Sequence, residues 1–267
     1  MDVYRPITRR AALKDMGKAG LAVMVFGTAC TGERDAQPPS TSAPTTTAGI
    51  ETTSTVPSAT TSPTDRGGLT EWARVEIAIV SAYILYRGGE AALVDTGQSG
   101  SAPAIEAALS GIGLGWDAVG HVILTHRHPD HVGSAEAVAE LAPNSTIYIG
   151  EGDADAIRDL GSGGSQLVAD DDNIFDLRVI ETPGHTVGHI SILDEAAGIL
   201  VAGDAMNRAN GVLSGSNPSF TADAVAADES VHKLAGFEFE VVLFGHSDPL
   251  LSGGSAEVQD LAGALGS

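Results

Sequence analysis

From about residue 75 onward, β-branched and apolar residues fall into short runs bounded by glycine, proline or aspartate. Runs of that kind predict strands, and the polar stretches between them carry helical spacing with clear stop signals. Strands are predicted over 75–80, 81–86 and 91–94, the last ending at Asp95-Thr96-Gly97, and then over 119–124, 146–149, 177–181, 190–193, 199–202 and 241–244. Helices are predicted over 103–109, 132–141, 153–160, 222–234 and 256–265, several of them closed by Gly111, Pro143 or Gly161. Strands and helices mixed in this way predict an α/β domain in which helices cover two central sheets.

The first 68 residues carry no such pattern. Thr8-Arg9-Arg10-Ala11-Ala12-Leu13-Lys14 is a twin-arginine export pattern, followed by an apolar run over 19–29 that is too short to span a bilayer. Gly27-Thr28-Ala29-Cys30 resembles a bacterial lipobox, which makes Cys30 the expected lipid acceptor. It is the only cysteine, so no internal disulfide can form. Residues 31–68 are mostly Thr, Ser, Pro and Ala and bury too little to offset the cost of ordering, as in a flexible tether. The expected organisation is therefore a signal peptide over 1–29, a lipid-acceptor cysteine and linker over 30–68, and a folded domain over 69–267. The expected location is the outer face of the cell membrane, or the medium if Cys30 carries no lipid.

Net charge is −21, and removing residues 1–29 takes away five basic and two acidic groups, leaving 9 − 33 = −24. A chain so acidic is a poor partner for nucleic acid or an anionic bilayer, so membrane contact is expected through the lipid alone.

The candidate chemistry lies at strand ends. Thr125-His126-Arg127-His128-Pro129-Asp130-His131 follows the strand over 119–124 and carries four side chains able to hold a divalent metal. His185 follows the strand over 177–181, Asp204 the strand over 199–202, and His246 the strand over 241–244. Carboxyl ends of strands are where open sheets present their chemistry, and Gly203 and Gly245 permit close backbone approach there. Asp95 also ends a strand. His189 opens one and reads as structural support rather than as a ligand. Trp72 and Trp116 read as core or rim aromatics, and Tyr83 has a better claim than either to line the pocket.

From about residue 75 on, this set resembles the metallo-β-lactamase fold superfamily, whose members carry His-x-His-x-Asp-His, then a lone His, an Asp and a final His. The resemblance implies a four-layer αββα sandwich and two divalent metal ions, zinc first and iron or manganese as alternatives. It implies that His126, His128 and His185 hold one ion, that Asp130, His131 and His246 hold the other, and that Asp204 bridges them. Asp95 would support a ligand from behind. A hydroxide between the ions would attack the carbonyl of an ester, lactone or thioester, with Asp130 orienting it. Asp204 counts against a dedicated antibiotic hydrolase, which places Cys or Ser near that position. Glyoxalase II is similar through the ligands but continues into a glutathione-binding domain, whereas 267 − 246 = 21 residues follow His246 here. Lactone hydrolases share all seven ligands, but no Tyr follows Asp204 closely. An iron persulfide dioxygenase and a non-catalytic metal- or ligand-binding lipoprotein stay open as alternatives. The expected partner is a small-molecule substrate. Oligomeric state is not legible.

Overall fold

A computed structural model describes residues 70–157 and 165–265. The expected export leader, lipid-acceptor Cys30 and tether lie outside those residues, as does the end of the helix expected over 153–160.

The first half of the domain runs through β1 (Glu71–Ile77), β2 (Val80–Arg87), β3 (Glu90–Val94), α1 (Ala102–Gly111), β4 (Val119–Leu124), the single turn α2 (Pro129–Val132), α3 (Ala135–Leu141), β5 (Thr146–Gly150), α4 (Ala154–Ile157) and β6 (Ser165–Val168). Its strands form a six-stranded sheet in chain order, antiparallel as far as β3 and parallel beyond it. The second half runs through β7 (Asn173–Ile174), β8 (Leu177–Glu181), β9 (Ile190–Asp194), β10 (Ile199–Gly203), β11 (Met206–Ala209), β12 (Val212–Gly215), α5 (Ala224–Leu234), β13 (Val241–Phe244) and α6 (Gly254–Leu265). Here the sheet order is β13-β10-β9-β8-β7, with β11 and β12 as a separate hairpin.

Strand alternation sorts the apolar side chains into three cores, and so defines four layers. On β2, Ala82 and Ile84 face Ile105 and Leu109 of α1 and Val138 of α3. Tyr83 and Leu85 face the other way and meet Val179, Ile192 and Val201 of the second sheet. On β10, Leu200 and Ala202 turn outward against Val231 and Leu234 of α5 and Val258 of α6. The layers are thus helix, sheet, sheet, helix, the αββα architecture. Each buried Leu, Ile or Val contributes about 1.5–3 kcal/mol relative to exposure. A one-residue slip of β2 would turn its whole inner set toward the wrong layer.

Two differences from the sequence pattern have physical causes. The β1–β2 turn falls at Ala78-Ile79, with Ile77 paired to Val80, inside an apolar stretch that offers no turn residue. Ala78 accepts a left-handed φ of 53° to make it. Between the strand expected over 199–202 and the helix expected over 222–234, where the sequence pattern predicts no element, the chain forms the β11–β12 hairpin. Its turn is Asn210-Gly211, both left-handed at φ 54° and 82°, a pairing that favours a two-residue hairpin.

Candidate metal centre

The candidate residues sit along one edge of the two sheets. β4 ends in fully buried Val122, Ile123 and Leu124, which fix where the histidine loop begins. Asp95, just past β3, holds both ends of that loop. Its carboxylate accepts from the Thr125 backbone N–H at 2.8 Å, from the Thr125 hydroxyl at 2.8 Å, and from His131 Nδ1 at 2.8 Å. Asp95 has φ 62°, a left-handed conformation that side chains rarely adopt.

All seven side chains singled out from the sequence converge. His128 Nδ1 lies 3.0 Å from His126 Nε2 and 2.9 Å from His185 Nε2. His246 Nε2 lies 3.2 Å from His131 Nε2 and 3.3 Å from Asp130 Oδ2. Asp204 stands between these groups, with Oδ2 at 3.4 Å from His185 Nε2 and 3.2 Å from His246 Nε2. Its Oδ1 is 3.6 Å from His131 Nε2. The ligand-type atoms of His126, His128 and His185 lie within 4.8 Å of one another, as do those of Asp130, His131 and His246, and those of His126, His131 and Asp204.

Following the protons outward shows which ring nitrogen faces inward. His246 Nδ1 meets the Ile79 carbonyl at 2.7 Å and must donate to it. His131 Nδ1 donates to Asp95. The Thr125 hydroxyl spends its hydrogen on Asp95, so it accepts from His126 Nδ1 at 3.0 Å. Thr221 donates to the Asn217 carbonyl at 2.7 Å, Ser216 donates to Thr221 at 2.8 Å, and Ser216 therefore accepts from His185 Nδ1 at 2.9 Å. Each of these four rings therefore turns its Nε2 toward the centre. Those of His126 and His185 point at the same atom, His128 Nδ1, where a single proton can serve only one of them. A cation would serve all three.

Asp204 makes the same point. Its Oδ1 is buried and has no hydrogen-bond partner among the described residues. An unsatisfied buried acceptor costs about 1–3 kcal/mol, more when charged, and a cation would satisfy it. Gly245 permits this approach, because a Cβ there would fall 2.0 Å from Asp204 Oδ1. The donor set of imidazoles and carboxylates therefore fits a divalent metal.

His189 faces the other way. The backbone N–H of Asp204 donates to its Nε2 at 3.0 Å, so Nδ1 carries the proton and donates to Thr182 Oγ1 at 2.8 Å. Thr182 passes a hydrogen to Ser191 Oγ at 3.0 Å, and Ser191 donates to the Ala202 carbonyl at 3.2 Å. Every hydrogen in the chain is used, which locks the loop carrying Asp204.

The electrostatics follow from burial and from these partners. Burial pushes His189 down to about 3 and His185 to about 4, and lowers His126 and His128 as well. For His131 burial works against the charged form, but Asp95, with Asp204 and Asp130 nearby, outweighs it and the net direction is up. Burial likewise opposes charge on Asp204, yet the hydrogen bond from His246 and the neighbouring His131 and His185 hold its carboxyl well below the usual range. His246 is raised to about 9, chiefly by that bond to Asp204. Without a cation, a proton on His246 balances the carboxylates, and binding a metal would displace it.

Tyr83, expected at the pocket, lies between the sheets at 1% exposure. β2 alternation puts it there, and its hydroxyl donates to the Phe244 carbonyl at 2.8 Å. Trp72 and Trp116 pack partly buried against the inter-sheet and helix-side cores. Sequence reasoning missed Thr125, Ser216 and Thr221. Thr125 had a signal, since it directly precedes the histidine run, whereas the hydroxyls of Ser216 and Thr221 carry no spacing signature.

The sequence profile of the Metallo-beta-lactamase superfamily matches residues 76–246. The chain belongs to that superfamily. It is 32% identical over 153 residues to the uncharacterized protein YobT of Bacillus subtilis, covering 50% of this chain and 64% of that one. It is 31% identical over 181 residues to a hydroxyacylglutathione hydrolase of Rhodospirillum rubrum, covering 64% of each. The chain thus spans less than two thirds of either relative. Among solved structures, the metallo-beta-lactamase family protein TTHA1429 of Thermus thermophilus superposes with a TM-score of 0.58 at 24% identity, over 73% of this chain and 77% of that one. That likeness establishes the shared fold.

Proposed function

We propose that this protein is a metal-dependent hydrolase of carboxylic esters, thioesters or lactones. The observation that carries the proposal is the buried carboxylate of Asp204, placed between two histidine groups with one oxygen unpartnered. His126, His128 and His185 would hold one divalent cation and Asp130, His131 and His246 a second, with Asp204 shared. Zn²⁺ is the first choice for such donors, with iron or manganese next. Bound there, the cations supply Lewis acidity toward a carbonyl oxygen and a water acidic enough to ionise near pH 7.

The chain's own residues do the rest. Asp95, the Ile79 carbonyl, Thr125 and Ser216 hold four rings with Nε2 inward, so that little reorganises when substrate arrives. Asp130, whose side chain is 33% exposed, is the carboxylate that a substrate meets. It is placed to take a proton from an attacking water and return it to the leaving group. The substrate is a small molecule, and the Rhodospirillum rubrum relative favours thioesters among the candidates. The twin-arginine pattern and Cys30 support export to the outer face of the membrane as a lipoprotein.

The test is metal analysis of the purified protein together with a panel of lactone, thioester, aryl ester and cephalosporin substrates. Two equivalents of metal and turnover of an ester-type substrate are expected. Asp204→Asn should lose one equivalent and reduce kcat/KM by about 100-fold or more, since even outer partners of ligands cost 10–100-fold. Full occupancy and rate in that variant would overturn the assignment. Stoichiometric iron with oxygen uptake on a persulfide would replace hydrolysis with oxidation.

A further inference from the structure

Asp153 directly precedes α4 and is 1% exposed. Its carboxylate accepts four hydrogen bonds. Oδ1 receives Arg127 Nη1 at 3.1 Å and the Gly188 N–H at 3.1 Å. Oδ2 receives the Arg127 N–H at 3.0 Å and the Thr186 hydroxyl at 2.6 Å. Two of these donors belong to the residue between His126 and His128. The other two lie between His185 and His189.

The backbones beside this carboxylate are packed as closely as glycine allows. A Cβ on Gly150 would fall 2.1 Å from the Gly188 carbonyl oxygen, and one on Gly188 would fall 2.1 Å from the Asp153 nitrogen. A Cβ on Gly152 would fall 2.8 Å from the Val187 carbonyl oxygen. The segment 150–153 is therefore seated against the loop after His185, while its carboxylate reaches across to the loop of His126 and His128.

We propose that Asp153 is a positioning residue that fixes these two loops in register and so sets the group formed by His126, His128 and His185. The second group has other supports, with His131 held by Asp95 and His246 by the Ile79 carbonyl. Loss of Asp153 should therefore act on one group and spare the other. Charge adds to the effect. The Arg127 guanidinium is paired to Asp153 at 3.1 Å, and without that partner its charge would act unbalanced on the His128 ring, which is meant for a dication. The proposal rests on the metal-binding reading above.

The test is titration of metal-free, full-length protein with Co²⁺, followed by visible absorption, and with Zn²⁺ against a chromophoric chelator. Wild type, Asp153→Asn and Thr186→Val are compared. In Asp153→Asn one of two binding steps should weaken by about 10–100-fold and the other by less than about twofold, the range seen for outer partners of metal ligands. In Thr186→Val the same step should weaken, by less. That split separates positioning from general loosening of the fold. Two unchanged steps, or two steps weakened alike, would overturn the proposal. If Asp153→Asn does not fold, as judged by circular dichroism, Thr186→Val decides by the same split. Wild-type protein that takes up no metal would overturn the hydrolase reading as well, whereas wild-type binding with an indifferent variant overturns this inference alone.

Discussion

Tyr83 lies in the core between the sheets, where burial pushes its hydroxyl up to about 12 from 10.0. The folded state thus favours the neutral phenol more than the unfolded chain does. The stability this contributes is fully present below pH 10 and is lost as pH rises toward 12, at about 1.4 kcal/mol per unit. Urea unfolding of wild type and Tyr83→Phe between pH 9 and 12 should show a steeper loss in wild type, and parallel slopes would refute the assignment. At neutral pH the variant leaves the Phe244 carbonyl without its partner and should cost about 1 kcal/mol. Tyr83 also shows where residue-level reading stops. A Tyr on an apolar strand can face either layer, and only the register of β2 against β1 and β3 decides which. The seven converging side chains were legible because metal ligands are chemically distinctive and ended strands at recognisable points. Asp153 and Ser216 were not, because an acceptor or a hydroxyl shows its purpose only once its partner 26 or more residues away is in place.

At the level of elements, β4, β8 and β13 were readable to their ends, since each is rich in Val, Ile, Leu or Phe and stops at a turn or ligand residue. β6 and β7 were not, being short and half polar, and the β11–β12 hairpin was announced only by Asn210-Gly211. The start of α5 joins fold to site, and two substitutions there test the link. Asp223 caps the helix, accepting from the N–H groups of Val225 at 3.0 Å and Ala226 at 3.1 Å. Its own N–H donates to the Gly184 carbonyl at 2.9 Å, one residue before His185. Gly184 has φ 130°, and a Cβ there would fall 2.2 Å from the Ala227 nitrogen in the first turn of α5. Asp223→Ala should cost about 1 kcal/mol as a lost cap. Gly184→Ala must both strain the backbone and displace a helix, and should cost about 3 kcal/mol or more. Denaturant midpoints measure both. If Gly184→Ala proved the milder change, the contact with α5 would not be what fixes the His185 loop.

The molecule as a whole brings the centre together through topology rather than through any one motif. β3, β4, β8, β10 and β13 all deliver their carboxyl ends to one edge, and the facing sheets carry Asp95, the histidine loop, His185, Asp204 and His246 within reach of one another. No spacing along the chain could have shown that Asp204 reaches both histidine groups, because His131 comes from the opposite sheet, His185 follows β8 two strands across the same sheet, and His246 follows β13, which pairs with β10 only once the sheet has formed. Such a site concentrates inward-facing lone pairs and carboxylates that the metal-free fold can balance only in part, as the unpartnered Asp204 oxygen shows. Metal should therefore stabilise the native state by mass action, by about 2.7 kcal/mol at a hundredfold excess over Kd. In a domain of this size that corresponds to a rise in Tm of roughly 5–10 °C. Thermal melts of protein stripped with a chelator, then resupplied with Zn²⁺, Mn²⁺ or Mg²⁺, should recover the shift with Zn²⁺ and not with Mg²⁺, which prefers oxygen donors. Recovery with Mg²⁺ alone would mean that the carboxylates bind without the histidines. Melts that superimpose with and without metal would mean that the converging rings are a packing arrangement whose lone pairs never meet a cation.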